Sequence, residues 1–215
     1  MLPTPYYDVD GITIYHGDCR EILPHLPKVD LVLTDIPFNV NLNYLSYKDK
    51  LTDSQYSNAC HEWFSAFKLV SDFFIVKSPT KTMPVVLPVF ADVLGYVWTV
   101  IQHSPNATSH GAFNLHLYTQ YLIGGKPLKR PNTDFFINTK QTQKSIHPAA
   151  MPIYPINRLI GWFTESNHSL IDPFMGSGTT LVAAKQLGRK AIGIEIEETY
   201  CQIAVKRLGQ GVLPL

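Results

Sequence analysis

The chain has 215 residues, 45% of them apolar and 16% charged, with a formal net charge of +1 at neutral pH. That is enough apolar material for one domain with a sizeable core, and too little net charge for a stand-alone polycationic nucleic-acid binder. No stretch approaches the roughly 20 apolar residues that span a bilayer. The start of the chain lacks a charged-then-apolar leader, so a cytoplasmic protein is expected. Cys19, Cys60 and Cys201 are scattered, and His103, His110 and His116 are loosely spaced, so neither a disulfide framework nor a metal site is indicated.

In chain order, Gly11 to His16 reads as a strand running into Gly17, Asp18 and Cys19. Lys28 to Asp35 is a buried strand that delivers a carboxylate followed by Ile36, Pro37 and Phe38. In open α/β sheets such strand ends are where ligand-binding and catalytic groups gather. A polar stretch follows, with Asn39, Asn41 and Tyr44 among its amides, tyrosines and lysines, and reads as a loop over about 39–58. Asp72 to Lys77 is a strand, Met83 to Leu94 a helix despite Pro88, and Tyr96 to Ile101 and Leu117 to Ile123 two further strands. Lys126, Lys129, Arg130, Lys140 and Lys144 then fall within 19 residues that hold one acid, Asp134, which makes the segment locally basic. An apolar, helix-like run covers 153–163, and Ser169 to Asp172 is a strand. The final strand, Lys190 to Ile196, carries Glu195 near its end and brings the total to seven.

Between those last two strands lies Phe174-Met-Gly176-Ser177-Gly178-Thr179, a turn opening into the helix Thr179 to Leu187, with Gly188 as its C′ residue. Two glycines let backbone approach a ligand where a Cβ would obstruct it. An acidic residue about 20 positions on commonly accepts hydrogen bonds from a ribose, and Glu195 stands 19 after Gly176. The turn lacks the Lys-Ser/Thr pair of a P-loop and the third glycine of a dinucleotide fingerprint. The pattern asks for an adenosine-bearing ligand without a pyrophosphate, which weakens a nicotinamide-dependent oxidoreductase. It also sits at the far end of the chain, where only one more strand can follow.

Asp35-Ile-Pro-Phe38, then roughly a hundred residues, then His147-Pro148 with Pro152, and last Phe174-Met-Gly-Ser-Gly178 resemble the motifs of the S-adenosylmethionine-dependent amino methyltransferases of nucleic acids, in the permuted order of the beta class. The resemblance covers nearly the whole chain. It implies a Rossmann-like, doubly wound, seven-stranded mixed α/β sheet with helices on both faces. That fold would be one domain over 1–215, with a short target-recognition insertion around 103–146. It implies that Asp35 and the Ile36 carbonyl accept hydrogen bonds from the target amine, that Pro37 keeps residue 36 extended, and that Phe38 stacks on a base rotated out of its duplex. It further implies that S-adenosylmethionine is held by Asp18 at the adenine, by Glu195 at the ribose, and by the turn with Phe174, Gly176, Ser177, Gly178 and Thr179 at the methionine moiety, with Cys19, His147, Asp172 and Ile196 also in the cofactor site. The basic and amide-rich segments named above would contact double-stranded DNA. An aspartate in first place favours adenine N6; cytosine N4 and RNA stay open, as does a homodimer. Three positions depart from the family pattern: Ile36 replaces proline, Phe38 tyrosine, and Met151 a lysine. They leave room for a degenerate fold that binds nucleic acid without turnover. A restriction-modification setting is the expected context.

Overall fold

The computed structural model describes residues 3–40, 50–78, 80–105, 118–138 and 153–210. Nine strands form one sheet: β1 (Tyr7–Val9), β2 (Ile12–His16), β3 (Leu31–Asp35), β4 (Phe73–Ser78), β5 (Tyr96–His103), β6 (Tyr118–Gly125), β7 (Phe135–Ile137), β8 (Ser169–Asp172) and β9 (Lys190–Glu195), in the order β1-β2-β9-β8-β3-β4-β6-β5-β7. All seven expected strands are present, and the expected number is corrected by two three-residue strands at the edges. β1 pairs antiparallel with β2 across Asp10-Gly11, both at positive φ (55° and 76°), the Asp-Gly turn that favours tight hairpins. β7 is too short to show any periodicity. From β2 through β9, β8 and β3 to β4 the pairing is parallel; β6 runs antiparallel to both β4 and β5.

Among the described residues six α-helices cover the two faces. α1 (Cys19–Ile22), α2 (Asp53–Val70) and α3 (Met83–Leu94) pack on one side, and α4 (Ile153–Phe163), α5 (Thr179–Gln186) and α6 (Glu198–Gly209) on the other. Alternate strand residues divide between the two cores: Val32, Phe74, Val76, Leu122, Ile171 and Ile194 face the first, and Leu31, Leu33, Ile75, Ile123 and Leu170 the second. A sheet buried on both faces explains why its strands read as continuous apolar runs. Among the described residues no helix is long and apolar enough to cross a membrane.

Two expected boundaries shift. The loop around 39–58 ends earlier, because Thr52 and Gln55 form a reciprocal capping box that starts α2 at Asp53. Tyr56, Cys60, Trp63, Phe64, Phe67 and Val70 then recur at helical spacing on its buried face. Within 103–146, residues 118–125 and 135–137 are strands of the sheet rather than insertion.

The strand order reverses between β8 and β3: the strand after β8 lies on one side and the strand after β3 on the other. Such a switch point opens a crevice beyond the carboxyl ends of the strands. Several described residues flank that edge. Asn39 and Leu51 clasp each other through Nδ2 to the Leu51 carbonyl (2.9 Å) and Leu51 N to Oδ1 (2.7 Å), and His103 pairs with both Tyr118 and Ile137.

Candidate functional site

Asp35 ends β3, directly opposite Lys77 of β4. The Lys77 ammonium donates to Asp35 Oδ2 at 2.6 Å, with the two side chains 20% and 15% exposed. Asp35 Oδ1 is buried without a hydrogen-bond partner among the described residues. Burial raises the carboxyl pKa, and the Lys77 charge opposes that rise. The same ammonium lies 4.9 Å from the centre of the Phe38 ring. The residues between are held from below: the Tyr56 hydroxyl of α2 donates to the Pro37 carbonyl at 2.7 Å. Ile36 is 2% exposed and packs in the core on the α2 side. Its side chain therefore fills apolar space, and the departure from proline leaves the backbone carbonyl in place. Asn39, at φ 55°, commits its amide to the clasp with Leu51.

Asp172 ends β8 and is 1% exposed. Its Oδ1 accepts from the Thr34 hydroxyl (2.6 Å) and from Phe174 N (3.1 Å). Because Thr34 precedes Asp35, that bond ties the two central strand ends together. Asp172 Oδ2 is buried and unpartnered among the described residues. Burial pushes the group up to about 6; the nearby Thr180 hydroxyl tempers the rise without reaching hydrogen-bond geometry.

The glycine turn is wired to β9 and α6. Gly176 N donates to Glu195 Oε2 (3.0 Å) and Glu197 N to Oε1 (2.8 Å). Burial pushes Glu195 up to about 7, against those two donors. Arg207 reaches back from α6 to the Ser177 carbonyl (2.6 Å), Ser177 Oγ (3.0 Å) and Thr179 Oγ1 (3.2 Å). At Gly178, φ is +78° and a Cβ would come within 2.8 Å of the Ala204 Cβ. At Gly176, φ is +51° and a Cβ would meet nothing within 4 Å among the described residues, so its backbone fronts open space there. The Phe174 ring sits edge-on to Trp63 of α2 at 5.2 Å between centres.

Asp18 caps α1, two residues beyond His16, which pairs with Glu195. Its carboxylate is already engaged: Oδ1 accepts from Arg20 N (2.8 Å), and the Arg20 guanidinium bridges both oxygens, 2.6 Å to Oδ2. Those bonds hold the group below the usual carboxylate range. Arg20 is itself braced by Glu62 at 2.7 Å. Cys19 is buried and its thiol pushed up by desolvation, while the Ile196 carbonyl accepts from His16 Nε2 at 3.0 Å.

Asp18, Asp35, Ile36, Pro37, Phe38, Asp172, the turn from Phe174 to Thr179 and Glu195 thus converge on one edge of the sheet. Lys126, Lys129 and Arg130 do not join them. Gly125 pairs with Phe73 at the start of β4 and Lys126 N donates to the Asp72 carbonyl (2.8 Å), which puts this segment at the opposite edge. Lys129 is paired there with Glu165 at 2.7 Å. Asn41, Tyr44, Lys140, Lys144, His147 and Met151 lie outside the described residues. Sequence reasoning missed Lys77, Thr34, Tyr56 and Arg207. For Lys77 the one available signal was a cation at the end of an otherwise apolar strand.

The sequence profile of a family described as DNA methylase, acting at N6 or N4 by its name, matches residues 91–206. The chain is similar to the Type II methyltransferase M2.LlaDCHI of Lactococcus lactis subsp. cremoris, with 44% identity over 98% of this chain and 94% of that one. It is 30% identical to the putative methylase YubD of Escherichia coli K12, over 89% of this chain and 88% of that one. Among solved structures, the cytosine-N4-specific PvuII DNA methyltransferase superposes with a TM-score of 0.79 at 18% identity, covering 98% of this chain and 91% of that one. The complex of M1.HpyAVI with S-adenosylmethionine gives 0.73 at 24% identity, covering 92% and 99%. With residues 91–206 matched and near-complete coverage by a relative at 44% identity, the chain belongs to the N6/N4 DNA methylase family.

Proposed function

We propose that the chain transfers a methyl group from S-adenosylmethionine to the exocyclic amine of a base rotated out of double-stranded DNA, adenine N6 in first place. The observation that carries this reading is the free, buried Oδ1 of Asp35, on a strand end tied through Thr34 to Asp172 beside the glycine turn. The residues present fit the cofactor. Its ammonium and sulfonium are cations, and the orphaned Asp172 Oδ2 is an acceptor on that side of the crevice. The open space before Gly176 leaves room for its methionine end. Glu195, which holds Gly176 N, would meet the ribose, and Asp18 the adenine, the latter in competition with Arg20.

The cofactor, when bound, supplies an electrophilic methyl group on its sulfonium. The protein's part is to present a usable lone pair. The amine nitrogen of a base is conjugated with its ring, and acceptors on both of its hydrogens favour the pyramidal form and the positive charge that develops as the N–C bond forms. Asp35 Oδ1 takes one hydrogen bond and the Ile36 carbonyl the other; Asp35 is placed to receive the proton that the methylated nitrogen loses. Phe38 offers its ring face to the extruded base. Holding the nitrogen in line with the methyl group supplies most of the rate. Asn41, Tyr44, Lys140 and Lys144 remain candidates for DNA contacts, because the described residues flanking their segments lie at the catalytic edge. The Type II methyltransferase names of the relatives support a role in modification.

Incubation with radiolabelled S-adenosylmethionine and mixed-sequence DNA, followed by nucleoside analysis, tests this reading, with Asp35→Ala as control. Label in N6-methyladenine that vanishes in the variant is the expected result. Label in N4-methylcytosine would keep the mechanism and change the base, a second reading favoured by the fold's match to the cytosine-N4-specific PvuII enzyme. No label on DNA, with cofactor binding intact, would overturn the DNA reading in favour of RNA or of binding without turnover.

A further inference from the structure

Asp35 and Lys77 are 42 positions apart in the chain and meet through strand register: Asp35 pairs with Lys77, and Lys77 with Tyr121, in one row across β3, β4 and β6. Resting on the methyl-transfer reading above, we propose that Lys77 is a positioning residue that holds the Asp35 carboxylate ionised and turned so that Oδ1 is the oxygen offered to the target amine.

The two oxygens of Asp35 are unequal. Oδ2 is taken by the ammonium at 2.6 Å, and Oδ1 is buried and vacant. An ammonium on one oxygen leaves the other with its full acceptor capacity, as an amine with two hydrogens requires. The other titratable groups facing Asp35 cannot replace Lys77. Tyr121 on β6 has its hydroxyl committed to Gln102 Oε1 at 2.8 Å. Asp172 on β8 is a second acid and raises the cost of charge nearby. Tyr56 on α2 donates to the Pro37 carbonyl. Among the described residues Lys77 is the cation paired with Asp35. Burial alone would drive Asp35 toward its protonated form, which accepts weakly and cannot take the proton released by the product. The ammonium also lies 4.9 Å from the Phe38 ring centre, so one charge steadies both the acceptor and the stacking ring.

The proposal predicts a pH signature. Removing the Lys77 charge raises the Asp35 pKa, so the acid limb of the rate profile moves to higher pH. In Lys77→Met and Lys77→Gln, kcat/KM should fall about tenfold or more on the acid side of the profile, with the limb displaced to higher pH, and should recover as pH rises. Lys77→Arg should keep the limb near its wild-type position. Cofactor affinity, read by calorimetry, should change little, which separates this role from general damage to the fold. In parallel, carbon NMR of carboxyl-labelled aspartate in the cofactor-free protein, assigned with Asp35→Asn, should show the Asp35 midpoint rising in both neutral variants. A limb and a midpoint that stay in place would overturn the proposal. If the wild-type protein transfers no methyl at all, the reaction assignment fails, and the carboxyl titration still upholds or overturns the coupling of Lys77 to Asp35.

Discussion

On the side of the glycine turn most polar groups are already engaged, Asp172 Oδ2 excepted: Glu195 accepts from two backbone amides, Asp18 from Arg20, and Arg207 grips the turn at Ser177 and Thr179. On the base side, Asp35 has one partner and one vacant oxygen. The two sides pose different problems. A cofactor pocket used in every turnover gains from a turn fixed in advance, since ordering it on binding would weaken affinity. A base arrives from a duplex and supplies its own hydrogens, so an unsatisfied acceptor is left waiting there.

If the two sides are separate, a change on one should leave the other's measurement alone. The largest effect expected is from Asp35→Asn, which keeps shape and removes charge: turnover should fall about 100-fold or more, with calorimetric affinity for the cofactor nearly unchanged. Loss of affinity instead would join the two halves. Next, Gly178→Ala forces a Cβ to within 2.8 Å of the Ala204 Cβ at a φ of +78°. That should cost about 2 kcal/mol or more of stability, seen as a lower Tm, and should weaken cofactor binding more than turnover of the saturated enzyme. Glu195 gives a milder effect with a definite sign. Its pKa is raised by burial to about 7, and in the proposed role its ionised form would be the stronger acceptor for ribose hydroxyls. Cofactor affinity should therefore strengthen about tenfold as pH rises through 7, and Glu195→Gln should flatten the profile. The same shift means that Glu195 favours the folded state most below its unfolded pKa, and that this contribution is lost as pH rises through about 7. The smallest effect belongs to Tyr56→Phe, which deletes the bond to the Pro37 carbonyl. About 1 kcal/mol of stability and a few-fold loss of turnover are expected, with cofactor affinity again unmoved in titration.

Legibility in the sequence follows the same division. Asp172, the glycine turn and Glu195 lie within one strand-turn-helix-strand unit, so local spacing and glycine chemistry carry the information. The Asp35 strand end was visible for a similar reason. Its partner was not, because Lys77 arrives through parallel register across a gap filled by α2. Arg207 was hidden by distance, 30 positions from Ser177. The basic cluster at 126–130 shows the opposite failure. Composition marks it as cationic, but β6 runs antiparallel to β4 and carries it to the far edge of the sheet. Strand direction, which no residue count reports, decides which side of the molecule a charge occupies. The helix α2 was legible in principle, through its capping box and its apolar spacing.

The hydroxyl of Thr34 reaches Asp172 across 138 positions of chain, and that span has a consequence for how the protein is made. β2 and β3 follow each other in sequence, yet β9 and β8 lie between them in the sheet. On a ribosome, both inner strands emerge after every other strand of the sheet. Until then the nascent chain holds two separate pieces, a hairpin of β1 and β2 and a block from β3 to β7, with a gap two strands wide. Closing it requires pairings between distant parts of the chain, which form slowly. Cofactor binding and competence to methylate are therefore expected to arrive together, as the final strands slot into the middle.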